Sequence, residues 1–114
     1  MAESRVHRRL SAILAADVVG FSSLMGRNEA HALSLVMAAR TAVIEPRIAH
    51  FRGRVFKTTG DGILAEFPSV VDAVACAVDI QSALDAHNSR LPDGDRFNLR
   101  IGVNLGDVII EGED

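Results

Sequence analysis

Apolar and polar positions fall into blocks of changing period along this chain, and each block predicts an element. Residues 11–19, SAILAADVV, are almost continuously apolar, the pattern of a strand buried on both faces inside a sheet. Gly20 ends it, and FSSLMGRNEA has room for one helical turn. From Asn28 onward Ala30, Leu33, Met37, Ile44, Ile48 and Phe51 recur at helical steps and predict one apolar helix face. Asn28 is placed to cap that helix, with Glu29 in its first turn. Pro46 should kink or divide it, and Gly53 should end it.

RVFKTT and GILAEF then read as two strands joined around Gly60-Asp61-Gly62. Val55 and Lys57 are expected on one face of the first arm and Phe56 on the other. Ile63, Ala65 and Phe67 share a face of the second. Ser69 with Asp72 is a capping-box variant. It opens a helix with the wide stripe Val70, Ala73, Val74, Ala77, Val78, Ile80 and Leu84. SRLPDGDR is a loop, and FNLRIGVN alternates with Phe97, Leu99, Ile101 and Val103 inward. Leu105-Gly106-Asp107 is expected to turn, with VII beginning another strand. Gly102 and Gly106 are read as serving close backbone packing and a turn.

The order β-α-β-β-α-β is that of an α+β fold with a ferredoxin-like βαββαβ core. Right-handed crossovers put both helices on one face of a four-stranded antiparallel sheet, with the first and third strands as central neighbours. Residues 1–10 read as a basic lead-in and residues 11–114 as one domain. A cleaved signal is disfavoured because Asp17 interrupts the apolar run after LSAILAA. No stretch reaches the length of a membrane span.

Composition narrows the classes. The 114 residues carry five Phe, no Trp and no Tyr, so aliphatics and alanine fill the interior. Net charge is −3 with both signs interspersed, which gives no footprint for bulk nucleic-acid binding. The single Cys76 excludes an internal disulfide, fits a reducing, cytoplasmic setting and reads as a small buried helix residue. The four histidines are scattered and receive no catalytic role.

The topology makes a sharper statement. Asp17 lies at the C-terminal end of the first strand and Asp61 at the start of its antiparallel neighbour, so both acids reach one sheet edge. Adjacent carboxylates repel unless a cation lies between them, and hard oxygen ligands of this kind suit Mg²⁺ or Mn²⁺. Gly20-Phe21-Ser22 follows at the start of a helical turn, where backbone amides can approach an anion.

The segments AADVVGFSSLM, FKTTGDGILAEF and LRIGVNLGDV resemble, in order and spacing, the class III adenylate/guanylate cyclase catalytic domain, from about residue 8 onward. The resemblance implies two divalent ions, Mg²⁺ or Mn²⁺, held by Asp17 and Asp61 with help from the Val18 carbonyl. It implies phosphate binding by the backbone around Val19, Gly20, Phe21 and Ser22, beside Gly60. It gives Lys57 the contact with adenine that makes the substrate ATP and the product 3′,5′-cyclic AMP. It also implies a head-to-tail homodimer with sites at the interface. In such a dimer the partner gives an asparagine and an arginine from beyond the strand starting at Val108. Those residues are absent from this chain, and Arg40, Arg47 and Arg100 fall on the wrong elements. The chain thus reads as the N-terminal two-thirds of the domain, expected to be inactive alone and to associate through an open sheet edge. Any regulatory domain would lie downstream or on a partner. Asn104 stands where many members carry histidine.

Three other readings compete. A non-catalytic, cyclase-like regulatory or dimerisation module would keep the fold and lose site residues. A diguanylate-cyclase-like domain would carry GG[DE]EF where this chain has TGDGI. A plain ferredoxin-like binding module would show no metal-dependent nucleotide affinity.

Overall fold

The computed structural model describes the backbone of residues 5–112 and the side chains of residues 9–107. The elements are β1 (Arg5–Val18), α1 (Phe21–Arg27), α2 (Glu29–Ala39), a π turn (Arg40–Ile44) and α3 (Glu45–His50). There follow β2 (Arg54–Thr58), β3 (Ile63–Phe67), α4 (Val70–Asn88), a 3₁₀ turn (Asp93–Asp95) and β4 (Leu99–Gly112). The sheet is antiparallel in the order β2-β3-β1-β4, so β1 and β3 are the central neighbours, as the α+β reading requires.

Only one face of the sheet is covered by helices among the described residues. Ala12, Leu14, Ala16 and Val18 point into the core with Ile63, Ala65 and Phe67. Ala15, between them, is exposed. The expectation that β1 is buried on both faces is therefore corrected: its unbroken apolar run includes small residues that floor an open surface.

β1 starts at Arg5, so residues 5–10, read as a lead-in, belong to the strand, with Arg9 opposite Val108 and Leu10 opposite Asp107. The turn expected at Leu105–Asp107 is absent for the same reason. β1 offers β4 a partner along its whole length, and the ladder runs from Val18↔Leu99 to Arg5↔Gly112. Gly106 serves this ladder rather than a turn, since a Cβ there would stand 2.8 Å from Ile13 Cδ1.

The Asn28 side chain caps α2, accepting from the His31 amide at 3.1 Å. The apolar face lies elsewhere than expected. Ala32, Val36 and Ala39 are buried, while Leu33 and Met37 are exposed. The cause is the π turn, which inserts one residue into the helical phase. Beyond it Val43, Ile44 and Ile48 take over the core. Pro46 explains the turn: it has no N–H for the helical ladder and its ring crowds the carbonyl four residues back. At the end of α3 it is Arg52, not glycine, that adopts the left-handed conformation (φ 66°). Gly53 is required by closeness instead, because a Cβ would meet Phe67 Cε2 at 2.4 Å and Ile48 Cγ2 at 2.9 Å.

Ser69 Oγ accepts from the Val71 and Asp72 amides at the start of α4. The buried stripe is Ala73, Cys76, Ile80 and Leu84, whereas Val70, Val74 and Val78, expected inward, are exposed. Cys76 is buried as expected, and burial, assisted by Asp79, pushes its thiol up to about 11. Two amide side chains of α4 reach the start of β4: Gln81 Nε2 donates to the Leu99 carbonyl at 2.9 Å and Asn88 Nδ2 to the Phe97 carbonyl at 2.8 Å. They fix the strand end that carries Arg100.

Candidate active site

The site forms at the end of the open sheet face. Asp17 is the penultimate residue of β1. Ala16 and Val18 beside it face the core, so alternation turns Asp17 to the open side. Asp61 lies in the turn joining β2 and β3. That turn is closed by the Thr59 amide donating to the Gly62 carbonyl at 2.9 Å and the Gly62 amide donating to Thr59 Oγ1 at 3.1 Å. Because Ala16 pairs with Ile63, the two acids fall at the same end of neighbouring strands. They line one cavity of about 470 Å³ together with Lys57, Arg100, Ala15 and Gly102.

Lys57 reaches this cavity by a route the alternation did not indicate. Val55 pairs with Ala65 but Lys57 pairs with Leu64, so Phe56 is an extra residue, a β-bulge. Ala65 faces the core and Leu64 lines the open cavity. Val55 and Lys57 therefore lie on opposite faces, which corrects their expected shared face. The bulge delivers Lys57 to the acids.

Arg100 is the residue that sequence reasoning missed. It lies directly opposite Asp17 on β4. Its Nε donates to Asp17 Oδ1 and its Nη2 to Oδ2, both at 3.1 Å, a two-pronged pair. Hydrogen bonding to Asp17, then the Asp17 charge, holds the guanidinium above its ordinary range against a burial penalty, and the Asp61 charge adds in the same direction. One cation thus responds to both acids. The register was available as a signal, since a strand ending in Asp17 beside LRIG places Arg100 across from it. Arg40 and Arg47 lie outside this cavity.

The remaining expected residues divide. Val19 and Gly20 line a second cavity of about 580 Å³ with Ser23, Arg27 and residues 93–98. The Val19 amide is bound to the Asn98 carbonyl at 2.9 Å, so it is not free for a phosphate. Gly20 takes the left-handed conformation (φ 70°) that launches α1, and the first-turn amides of Phe21, Ser22 and Ser23 are left without helical partners. Gly60 adjoins this turn: a Cβ there would stand 4.0 Å from Phe21 Cε2. Val18 buries its side chain next to Asp17.

The donor set fits a hard divalent cation that takes its remaining ligands from water and substrate phosphates, because two carboxylates suffice for that mode. No group of three or more His, Cys, Asp or Glu ligands occurs among the described residues. A cation at Asp17 would share its oxygens with Arg100, which is 72% exposed and therefore free to swing aside.

An α+β sheet open on one face, with Asp17 and Asp61 at one end of its two central strands, defines a ferredoxin-like fold class and by itself assigns no function. The comparisons with known proteins narrow it. No protein-family model matches the chain. A Rhizobium meliloti (strain 1021) protein named "Putative adenylate cyclase 3" is 51% identical over all 114 residues, which make up 19% of its length. The crystal structure of an adenylate/guanylate cyclase/hydrolase from Silicibacter pomeroyi superposes with a TM-score of 0.83 at 44% identity, covering 96% of this chain and 64% of that one. The guanylyl cyclase Cya2 superposes at 0.78 with 28% identity, over 90% of this chain and 57% of that one. The chain belongs to the adenylate/guanylate cyclase catalytic-domain family and spans part of that domain.

Proposed function

We propose that the protein containing this chain is an adenylate cyclase, converting ATP to 3′,5′-cyclic AMP and pyrophosphate in a head-to-tail homodimer. The observation that carries the reading is the convergence of Asp17, Asp61 and Lys57 on one cavity of the open sheet face. Asp17 and Asp61 would hold two Mg²⁺ or Mn²⁺ ions, with the Val18 carbonyl beside them. When bound, such ions supply charge stabilisation for in-line displacement at phosphorus. In the reaction the ribose O3′ bonds to the α-phosphorus, the bond from that phosphorus to the bridging oxygen of the β-phosphate breaks, and the hydroxyl proton leaves to solvent. The first-turn amides of Phe21 and Ser22, launched by Gly20 and near Gly60, are the groups we assign to phosphate oxygens.

Lys57 sets the base. An ammonium only donates, and adenine presents an unprotonated N1 acceptor, whereas guanine presents N1–H and an amine. Lys57 on the open face can serve a nucleotide held across the dimer. The 51% identical relative's name agrees with this choice.

A second reading has one observation in its favour. The forked Arg100–Asp17 pair engages both oxygens of a proposed ligand, as a non-catalytic regulatory module would tolerate. The two are separated by assaying the purified longer protein with ATP or GTP and Mn²⁺. Cyclic AMP formed in preference to cyclic GMP is the expected result. No cyclic nucleotide from either substrate would favour the module, and cyclic GMP as the main product would refute the role of Lys57.

A further inference from the structure

Helix and hairpin meet at one side chain outside the cavity. Arg40 is the first residue of the π turn, and its Nη2 donates to the Thr59 carbonyl at 3.3 Å and to the Gly62 carbonyl at 3.5 Å. Those carbonyls bracket the turn that carries Asp61. Thr59 and Gly62 already close that turn on each other, so Arg40 braces a small, preformed loop from behind. Its Nη1 also rests on Met37 Sδ at 3.6 Å, which limits the rotamers open to it. Arg40 and Asp61 share the walls of a narrow cleft between helix and sheet with Val36, Ile44 and Ile63.

The position of Arg40 follows from the sequence. Pro46 forces the π turn, and the Glu45 amide bonds back five residues to the Arg40 carbonyl. The inserted residue shifts the helical phase at Arg40, which lies between the buried faces of α2 and α3. A regular helix through residues 29–50 would carry the guanidinium round by about one residue's rotation.

We propose that Arg40 is a positioning residue for Asp61: by holding the Thr59 and Gly62 carbonyls it fixes where the Asp61 carboxylate stands relative to Asp17. The inference rests on the metal-binding role proposed above. Groups that orient a ligand from behind commonly change metal affinity by about tenfold or more when removed. A guanidinium suits the task because it is planar and presents several fixed donors to two acceptors at once.

The test is Mn²⁺ titration of this chain, followed by electron paramagnetic resonance, in wild type, Arg40→Met, Arg40→Lys and Asp61→Asn. Circular dichroism and thermal unfolding run in parallel. Arg40→Met should weaken Mn²⁺ binding by about tenfold with the fold kept, and Arg40→Lys should recover part of the loss. Amide hydrogen exchange at residues 60–62 should quicken in Arg40→Met without metal, a readout available even if its stability falls. Wild-type affinity and unchanged exchange in Arg40→Met, with Asp61→Asn defective, would overturn the positioning role and leave the metal site standing. Wild type and Asp61→Asn binding Mn²⁺ equally would overturn both.

Discussion

Gly102 offers a prediction in which stability and binding part company. It lies on the open face of β4 opposite Ala15, and a Cβ built there meets nothing within 4 Å. Its backbone is not among the left-handed positions. Gly102→Ala should therefore stabilise the fold by reducing the freedom of the unfolded chain, by about 0.4–1 kcal/mol. For a domain of this size that is a rise in Tm of about 2–6 °C. Gly102→Val should also fold, since β-branched residues suit strands. Its methyl groups would enter the cavity shared by Asp17, Lys57 and Asp61. Crowding of that kind costs about 1–3 kcal/mol, so affinity for Mn·ATP should fall by about 5- to 150-fold. Thermal unfolding by circular dichroism reads the first effect and isothermal titration the second. A lower Tm in Gly102→Ala, or undiminished Mn·ATP affinity in Gly102→Val, would refute this placement of the substrate.

Two stability predictions concern parts of the sheet away from the cavity. The Glu66 side chain is 5% exposed, takes two hydrogen bonds from Arg54 and pairs with Arg9 at 2.9 Å. Burial raises its pKa, but Arg54 and Arg9 together outweigh it and hold the carboxyl below the ordinary 4.5. Its contribution is therefore full above about pH 4.5 and is lost as pH falls through the lower folded value. Glu66→Gln should cost about 1–3 kcal/mol at pH 7, and its deficit in urea unfolding should shrink on acidification; a deficit independent of pH between 7 and 3 would contradict the ion pairs as its source. Gly53→Ala should lower stability by about 1–3 kcal/mol, because the new Cβ meets the Phe67 ring and Ile48. An unchanged Tm would show that this packing yields freely.

Much of the architecture was legible because it depends on short-range signals. Asn28 before Glu29 announced the cap of α2, the Gly60-Asp61-Gly62 turn announced the hairpin, and element order alone placed β1 beside β3. That placement carried Asp17 and Asp61 to one edge. What escaped was phase. A π turn and a bulge each add one residue, and one residue moves a side chain to another face. The first displaced the buried set of α2 from Leu33 and Met37 to Ala32 and Val36; the second put Val55 and Lys57 on opposite faces. On α4 two apolar stripes compete, Ala73–Cys76–Ile80–Leu84 and Val70–Val74–Val78, and only the tertiary fit chooses the stripe with smaller residues near the helix start. Arg100 was discounted as lying on the wrong element. Its meaning appears only once β4 is set in register against β1.

The proposed function requires Asp17 and Asp61 to act on the same cation. Paramagnetic broadening by substoichiometric Mn²⁺, followed by NMR on this chain, tests it directly. Amides at both strand ends, residues 16–18 and 61–63, should broaden together, and either Asp17→Asn or Asp61→Asn should weaken the effect at both places while the fold persists. Broadening confined to one strand end, or untouched by either substitution, would contradict it.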